Sequence, residues 1–390
     1  METLVGQDSP RDLHLFGTGP KRILALDGGG VRGALTISFL ERLEAVLEQR
    51  HGRHVRLCDY FDLIGGTSTG AIIACALALG YSSADVRDLY MKLGPRVFKR
   101  PLWRIVGLQA KFDSRLLQKE IDAIIGDRTL NSQDLLTGVA IVTKRMDTGS
   151  PWILSNNPRS MYWETPADGS YIGNEHYPLG NIIRASSAAP HYFDPEQISI
   201  VDGAPPGLFV DGGVTPHNNP SLHLLLMAAF NGYGLRWPLG RDNLLLVSIG
   251  TGDFRQTLTA QEAGRMPAVG LAVKALTGLI SDAETLVITL LHWLGDSSSR
   301  WPLNSEIGSL TGEFPGGREA LLSFRRYDVL LEEEWLNKEL GVTLPKQEIE
   351  DLKRMDEPLN IPRFYDLGQK AAARQITESQ LPKVFDLQKT

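Results

Sequence analysis

Asp62-Leu63-Ile64-Gly65-Gly66-Thr67-Ser68-Thr69-Gly70-Ala71-Ile72-Ile73 joins a strand, a tight turn and a helix without a spacer. The apolar run 61–64 suits a buried strand, and 71–79 suits a packed helix. Between them stands Gly-x-Ser-x-Gly. A serine on so sharp a turn presents its hydroxyl to a ligand, and Gly66 and Gly70 let strand and helix approach without a Cβ clash. Serine is a weak nucleophile alone, so a catalytic reading requires a base and an oxyanion site elsewhere in the chain. Without them the pattern is an ordinary small-residue turn.

Upstream, Arg22-Ile23-Leu24-Ala25-Leu26 reads as a first buried strand running into Asp27-Gly28-Gly29-Gly30-Val31-Arg32-Gly33. A helix follows, with Leu35, Phe39, Leu40, Leu43, Val46 and Leu47 on one stripe and an end near Gly52. The loop also fits the dinucleotide fingerprint at Gly28-x-Gly30-x-x-Gly33. That reading needs an acidic residue closing the second strand, and here the second strand closes in the serine turn. No Gly-Lys-Ser/Thr follows, so a nucleotide-hydrolase phosphate loop fails too. The glycines are therefore read as amide donors at a helix N-terminus, an arrangement suited to an oxyanion hole.

Downstream, 138–143 and 152–155 read as further strands, and Ile182 to Pro190 as a small-residue helix stopped by proline. Short strands are expected at 198–201 and 208–210, the second delivering Asp211-Gly212-Gly213 at its end; Pro220 starts an apolar helix, and 244–249 is a strong strand. Taken alone, Asp-Gly-Gly is a structural turn. Beyond Asp253 the patterning is helical and strand signals are scarce. The stretch 92–111 is basic, carrying Arg96, Lys99 and Arg100 beside Trp103 with no acid among them. It suits anionic lipid head groups and an aromatic anchor, but charge runs are usually solvent-facing, and the reading as a solvated loop over an acidic body comes first.

Composition narrows the function class. Hydrophobic residues at 42% and charged residues at 22% describe a globular chain of 390 residues, and a net charge of −6 argues against nucleic acid as a partner. The two cysteines, Cys58 and Cys75, lie in apolar surroundings and make no disulfide or zinc framework. Residues 1–19 lack a signal-peptide pattern, and the greasy stretch 270–295 is interrupted by Lys274, Asp282 and Glu284. A cytoplasmic protein is expected, touching the inner membrane face peripherally at most.

Three features now stand at strand ends: the loop 27–33, Ser68 and Asp211. In an open α/β sheet the carboxyl ends of strands share one crevice, so the three could converge. With these motifs the chain resembles the patatin-like phospholipases, whose pattern is a glycine-rich oxyanion loop with a following arginine, a Gly-x-Ser-x-Gly elbow and an Asp-Gly-Gly. Ser186-Ser187-Ala188-Ala189-Pro190, Asn218-Asn219-Pro220 and 247–252 are secondary matches, and the resemblance covers about residues 23–252. It implies an α/β, three-layer fold with a mixed, mostly parallel central sheet flanked by helices, and a serine acyl hydrolase acting on ester lipids. By the resemblance Ser68 is the nucleophile and Asp211 the general base, with Gly28, Gly29 and Gly30 as the oxyanion hole; Arg32, Gly33, Gly66, Gly70, Gly212 and Gly213 support them. No metal and no cofactor are expected. Arg32 would either pair with a lipid phosphate or brace the loop against a carboxylate.

The domain expectation is a lead-in over 1–21, a catalytic domain over 22–252, and a mainly helical region over 253–390 packed on it. Two alternatives stay open. A Ser-His-Asp triad would draw on His217, His223 or His292, of which His217 lies on the loop beside Asp211. A gated or inactive interaction protein would keep the fold while the C-terminal helices hold the cleft shut.

Overall fold

The computed structural model describes residues 9–98, 110–255, 257–298, 301–303, 306–308, 310, 313 and 319–388. Among them nine strands form one sheet: β1 Lys21–Leu26, β2 Leu63–Thr67, β3 Gly138–Arg145, β4 Ser150–Ser155, β5 Glu196–Ile198, β6 Gly207–Asp211, β7 Leu244–Ile249, β8 Gly295–Ser297 and β9 Leu322–Tyr327. Their order is β5-β6-β3-β2-β1-β7-β9-β8, with β4 also on β3. The central pairs β3/β2, β2/β1, β1/β7, β7/β9 and β9/β8 are parallel; β4 and β6 run antiparallel to β3, and β5 antiparallel to β6.

Successive side chains of a strand face opposite sides, so a near-continuous apolar strand must be covered on both. Leu24 and Leu26 of β1 join the cluster under the helices Gly33–His51, Thr69–Ala78 and Ile361–Gln375, while Ile23 and Ala25 join the one under Ser221–Ala229 and Ala268–Leu294. Three layers result. Cys58 and Cys75 are buried free thiols within them.

One edge of β3 is shared. Its other edge is taken by β4 from Ala140 to Arg145, so β2 and β6 must both lie on the remaining one. β2 runs along it to Thr67, opposite Val142; at the next residue, Thr143, β6 arrives from the opposite direction with Asp211. The serine that follows Thr67 and the aspartate that ends β6 are thereby delivered to one point.

The division expected at residue 252 falls inside this sheet. The region 253–390 is rich in helices, yet it also supplies β9, parallel to β7, and β8, parallel to β9. Leu322-Ser323-Phe324-Arg325-Arg326-Tyr327 carries two adjacent arginines and so reads as exposed, but both are buried in the fold. No helix among the described residues is long and apolar enough to cross a membrane.

Candidate active site

Ser68 sits between β2 and the helix Thr69–Ala78 with φ 55° and ψ −122°, a left-handed conformation uncommon for a side-chain-bearing residue. Glycines permit the turn: a Cβ on Gly66 would lie 2.1 Å from the Gly70 carbonyl oxygen, and one on Gly70 would lie 2.3 Å from that of Leu26. The Ser68 amide donates to Ser186 Oγ at 2.9 Å, and that hydroxyl donates to the Val142 carbonyl at 2.7 Å. Ser186 thus ties the strained turn to β3. The small-residue stretch after it has a second task, because the Ala188 carbonyl accepts the Asp211 amide at 3.0 Å.

Ser68 Oγ donates to Asp211 Oδ2 at 2.6 Å, and the Gly213 amide donates to Asp211 Oδ1 at 2.7 Å. A Cβ on Gly212 would strike the Val142 carbonyl oxygen at 2.5 Å, so the turn beside Asp211 needs glycine. Burial pushes the Asp211 carboxyl up from its ordinary 3.8 to about 6, against the opposing pull of the Ser68 and Gly213 hydrogen bonds and of Arg184. His217 is elsewhere engaged: its ring packs edge-on against His223 with centroids 4.8 Å apart, and the Asp211 oxygens are occupied by Ser68 and Gly213.

The loop 27–33 abuts the serine, since a Cβ on Gly28 would lie 3.3 Å from Ser68 Cβ. Thr251 Oγ1 holds the Gly28 carbonyl at 3.0 Å, the Arg32 amide donates to the Gly29 carbonyl at 3.2 Å, and Thr69 and Tyr90 donate to that of Gly30. In a trans peptide the N–H opposes the C=O. The amides of Gly29 and Gly30, following held carbonyls, face away from those anchors and have no acceptor among the described residues. Gly28 differs from the sequence expectation, because its amide donates to the Asn218 carbonyl at 3.2 Å. Gly30 has φ 57°, and a Cβ there would lie 2.2 Å from the Met355 carbonyl oxygen. Gly33 fits tightly as well, its Cβ position lying 2.2 Å from Thr69 Cγ2.

Arg32 is buried, donates to the Gly252 carbonyl at 2.9 Å and lies over the Phe254 ring at 5.3 Å. It braces the loop, against a carbonyl rather than a carboxylate. Asp27 is paired with Arg326 of β9 at 2.7 Å; the same guanidinium meets Asp328 at 2.7 Å and Glu284 at 2.8 Å. Asp27, Glu284 and Asp328 have the spacing of a cation site, and Arg326 supplies the positive charge there. Sequence reasoning quoted Ser186 within a motif but not as a brace, and missed Arg326 and Met355 altogether, because neither lies in a motif.

A cavity of about 1060 Å³ opens on Ser68, Asp211 and the glycine loop. Its lining includes the apolar Ile73, Leu93, Phe98, Ile121 and Ile183 and the charged Lys111, Asp253, Lys353 and Arg354. Arg96 stands on the cavity-lining helix Ser83–Val97, exposed and 3.7 Å from Glu120; Lys99, Arg100 and Trp103 lie outside the described residues.

The family model "Patatin-like phospholipase" matches residues 24–225. Similar proteins include a cGAMP-activated phospholipase of Vibrio cholerae, 31% identical over 64% of this chain and 70% of its own length. A cGAMP-activated phospholipase of Escherichia coli is 30% identical over 59% of this chain and 62% of its own length, and patatin group J-1 of Solanum tuberosum is 27% identical over 87% and 89%. Elbow, acid and glycine loop meeting in one cavity agree with that match, and the chain belongs to the patatin-like phospholipase family, as a lipid acyl hydrolase and hence a carboxylic ester hydrolase.

Proposed function

We propose that the chain hydrolyses fatty-acyl esters of membrane lipids, in the manner of a phospholipase A or lysophospholipase, through a Ser68–Asp211 dyad. The observation that carries this reading is the 2.6 Å hydrogen bond from Ser68 Oγ to a buried carboxylate at the foot of an apolar cavity. Ser68 Oγ attacks the ester carbonyl and its proton passes to Asp211. The tetrahedral oxyanion rests on the Gly29 and Gly30 amides, each such donor contributing about 2.7–4 kcal/mol. Collapse breaks the bond to the alcohol, which leaves with the proton from Asp211. Water then attacks the acyl-serine, gives a proton to Asp211 and releases the fatty acid as Ser68 recovers its proton. A carboxyl with pKa about 6 serves both directions near neutrality.

The apolar lining residues of the cavity suit an acyl chain. The helix Ala268–Leu294 lines the cavity with Thr277, Ile280 and Ser281 and exposes Leu271, Leu279 and Leu286, which suits contact with a lipid surface. The test is covalent labelling by a serine-directed fluorophosphonate, followed by product analysis on mixed-lipid liposomes. Labelling and release of fatty acid by the natural chain, and neither by Ser68→Ala, are expected; labelling that survives Ser68→Ala removes the dyad.

A gated form of the same enzyme is favoured by one observation: the Met355 carbonyl accepts the Val31 amide at 2.9 Å, so a C-terminal segment lies on the glycine loop. The names of two relatives suggest cGAMP as the opening signal. Hydrolysis that is equal with and without cGAMP would remove this second reading.

A further inference from the structure

A second cavity, of about 330 Å³, lies at the far end of β1 from the glycine loop, about 16 Å along the strand. Its lining includes Phe16-Gly17-Thr18-Gly19, Lys21, Arg159, Arg236 and Trp237, and contains no carboxylate. From these groups we infer a binding site for a phosphate-bearing small molecule, held by Lys21, Arg159 and Arg236.

Lys21 is only 4% exposed, and its ammonium donates to a single acceptor among the described residues, the His14 carbonyl. An ammonium has three N–H donors, and leaving two of them dry is costly unless an anion or water reaches them through the cavity. The nearby carboxylate, Asp62, is committed to His14 at 2.8 Å and to Arg22 at 3.0 Å. Trp237 gives Lys21 a cation–π contact, Nζ lying over its ring 5.4 Å from the centre, but no hydrogen-bond acceptor, its indole N–H being donated to the Leu15 carbonyl at 2.8 Å.

The Arg159 guanidinium carbon lies over the Phe16 ring, 3.6 Å from its centre, and neither Arg159 nor Arg236 has a carboxylate partner among the described residues. A ring contact of this kind takes none of the guanidinium N–H donors, which stay available for a bidentate oxyanion. Arg236 is exposed and holds φ 53°, an uncommon backbone conformation for arginine at a position where glycine would be unstrained. Three cations from separate segments therefore converge on a space of phosphate-ester size with no internal counter-charge. A cavity of this volume lies at the small end of ligand sites, which fits a monophosphate.

The test is calorimetric titration of the full chain at constant ionic strength with inorganic phosphate, glycerol 3-phosphate and adenosine 5′-monophosphate, using glycerol and adenosine as neutral counterparts. Saturable binding of at least one phosphate compound is expected, with none by the neutral pair. Arg159→Gln and Arg236→Gly should each weaken it at least fivefold, and the glycine variant relieves backbone strain, so its fold is not at risk. The compound bound tightest identifies the source as free phosphate, a lipid head group or a nucleotide. No saturable binding by any of the three, or binding undiminished in both variants, would overturn the site.

Discussion

Replacing Asp211 by asparagine separates the chemical role of this carboxylate from its effect on the fold. The carboxyl is raised from 3.8 to about 6 chiefly by burial, so the folded state holds its proton more tightly than the unfolded chain does. The sign follows. Below pH 4 both states are protonated and the group is neutral in the balance; between pH 4 and 6 the unfolded chain has released the proton while the folded state still holds it, so stability falls as pH rises; above pH 6 both are ionised and the accumulated penalty is constant. About two pKa units at 1.36 kcal/mol each set it at about 3 kcal/mol. Asp211→Asn removes it while retaining a carbonyl oxygen for the Gly213 amide. Urea denaturation at pH 8 should therefore show the variant more stable by about 1–3 kcal/mol, with the gain vanishing at pH 4, while ester hydrolysis falls on the order of 10⁴-fold. In the natural chain kcat/KM should rise with pH along a limb near 6. An equal stability difference at both pH values, or a variant that still hydrolyses ester, would refute the assignment.

Gly30→Ala should lower kcat at least a hundredfold, because a Cβ would meet the Met355 carbonyl in a left-handed backbone and displace an oxyanion donor; a loss confined to KM would count against that role. His217→Ala should keep most esterase activity, as its ring faces His223, and a collapse of kcat would instead favour a triad. Arg326→Met should destabilise the fold by about 3–5 kcal/mol, since Asp27 and Asp328 would keep buried carboxylates with no cation between them. An unchanged denaturation midpoint would show that the network sheds its charge by protonation alone.

What the sequence disclosed and what it hid divide along range. Gly29, Ser68 and Asp211 were legible because each occupies a turn whose residues must be small, and small residues in a fixed order leave a local trace. β7 was legible from its unbroken apolar run. β9 was not, because Arg325 and Arg326 mask a strand whose charges are met by partners far away in the chain: Asp27, Glu284, and the carbonyls of Gln380 and Asp296. The helix Ile361–Gln375 was missed for a related reason. Its buried face, Ile361, Phe364, Leu367, Gly368, Ala371 and Ala372, is thin in large apolar residues and is completed by close approach to Gly33–His51, where Gly368 admits the Leu35 carbonyl and Ser38. The use of Gly28 as a donor to Asn218 likewise depends on a loop that only the fold brings near.

Because β2 and β6 end head to head on β3, the distance between alcohol and acid is an alignment property of two strands and not of either turn. Sliding β6 by a single residue would turn Asp211 through to the opposite face of the sheet, with every motif still intact in the sequence. Insertions and deletions in the hairpin before β6 should then be tolerated only when they leave the Thr143–Asp211 pairing in place. A homologue that preserves all three motifs yet has lost that pairing would be silent for a reason no motif search could detect.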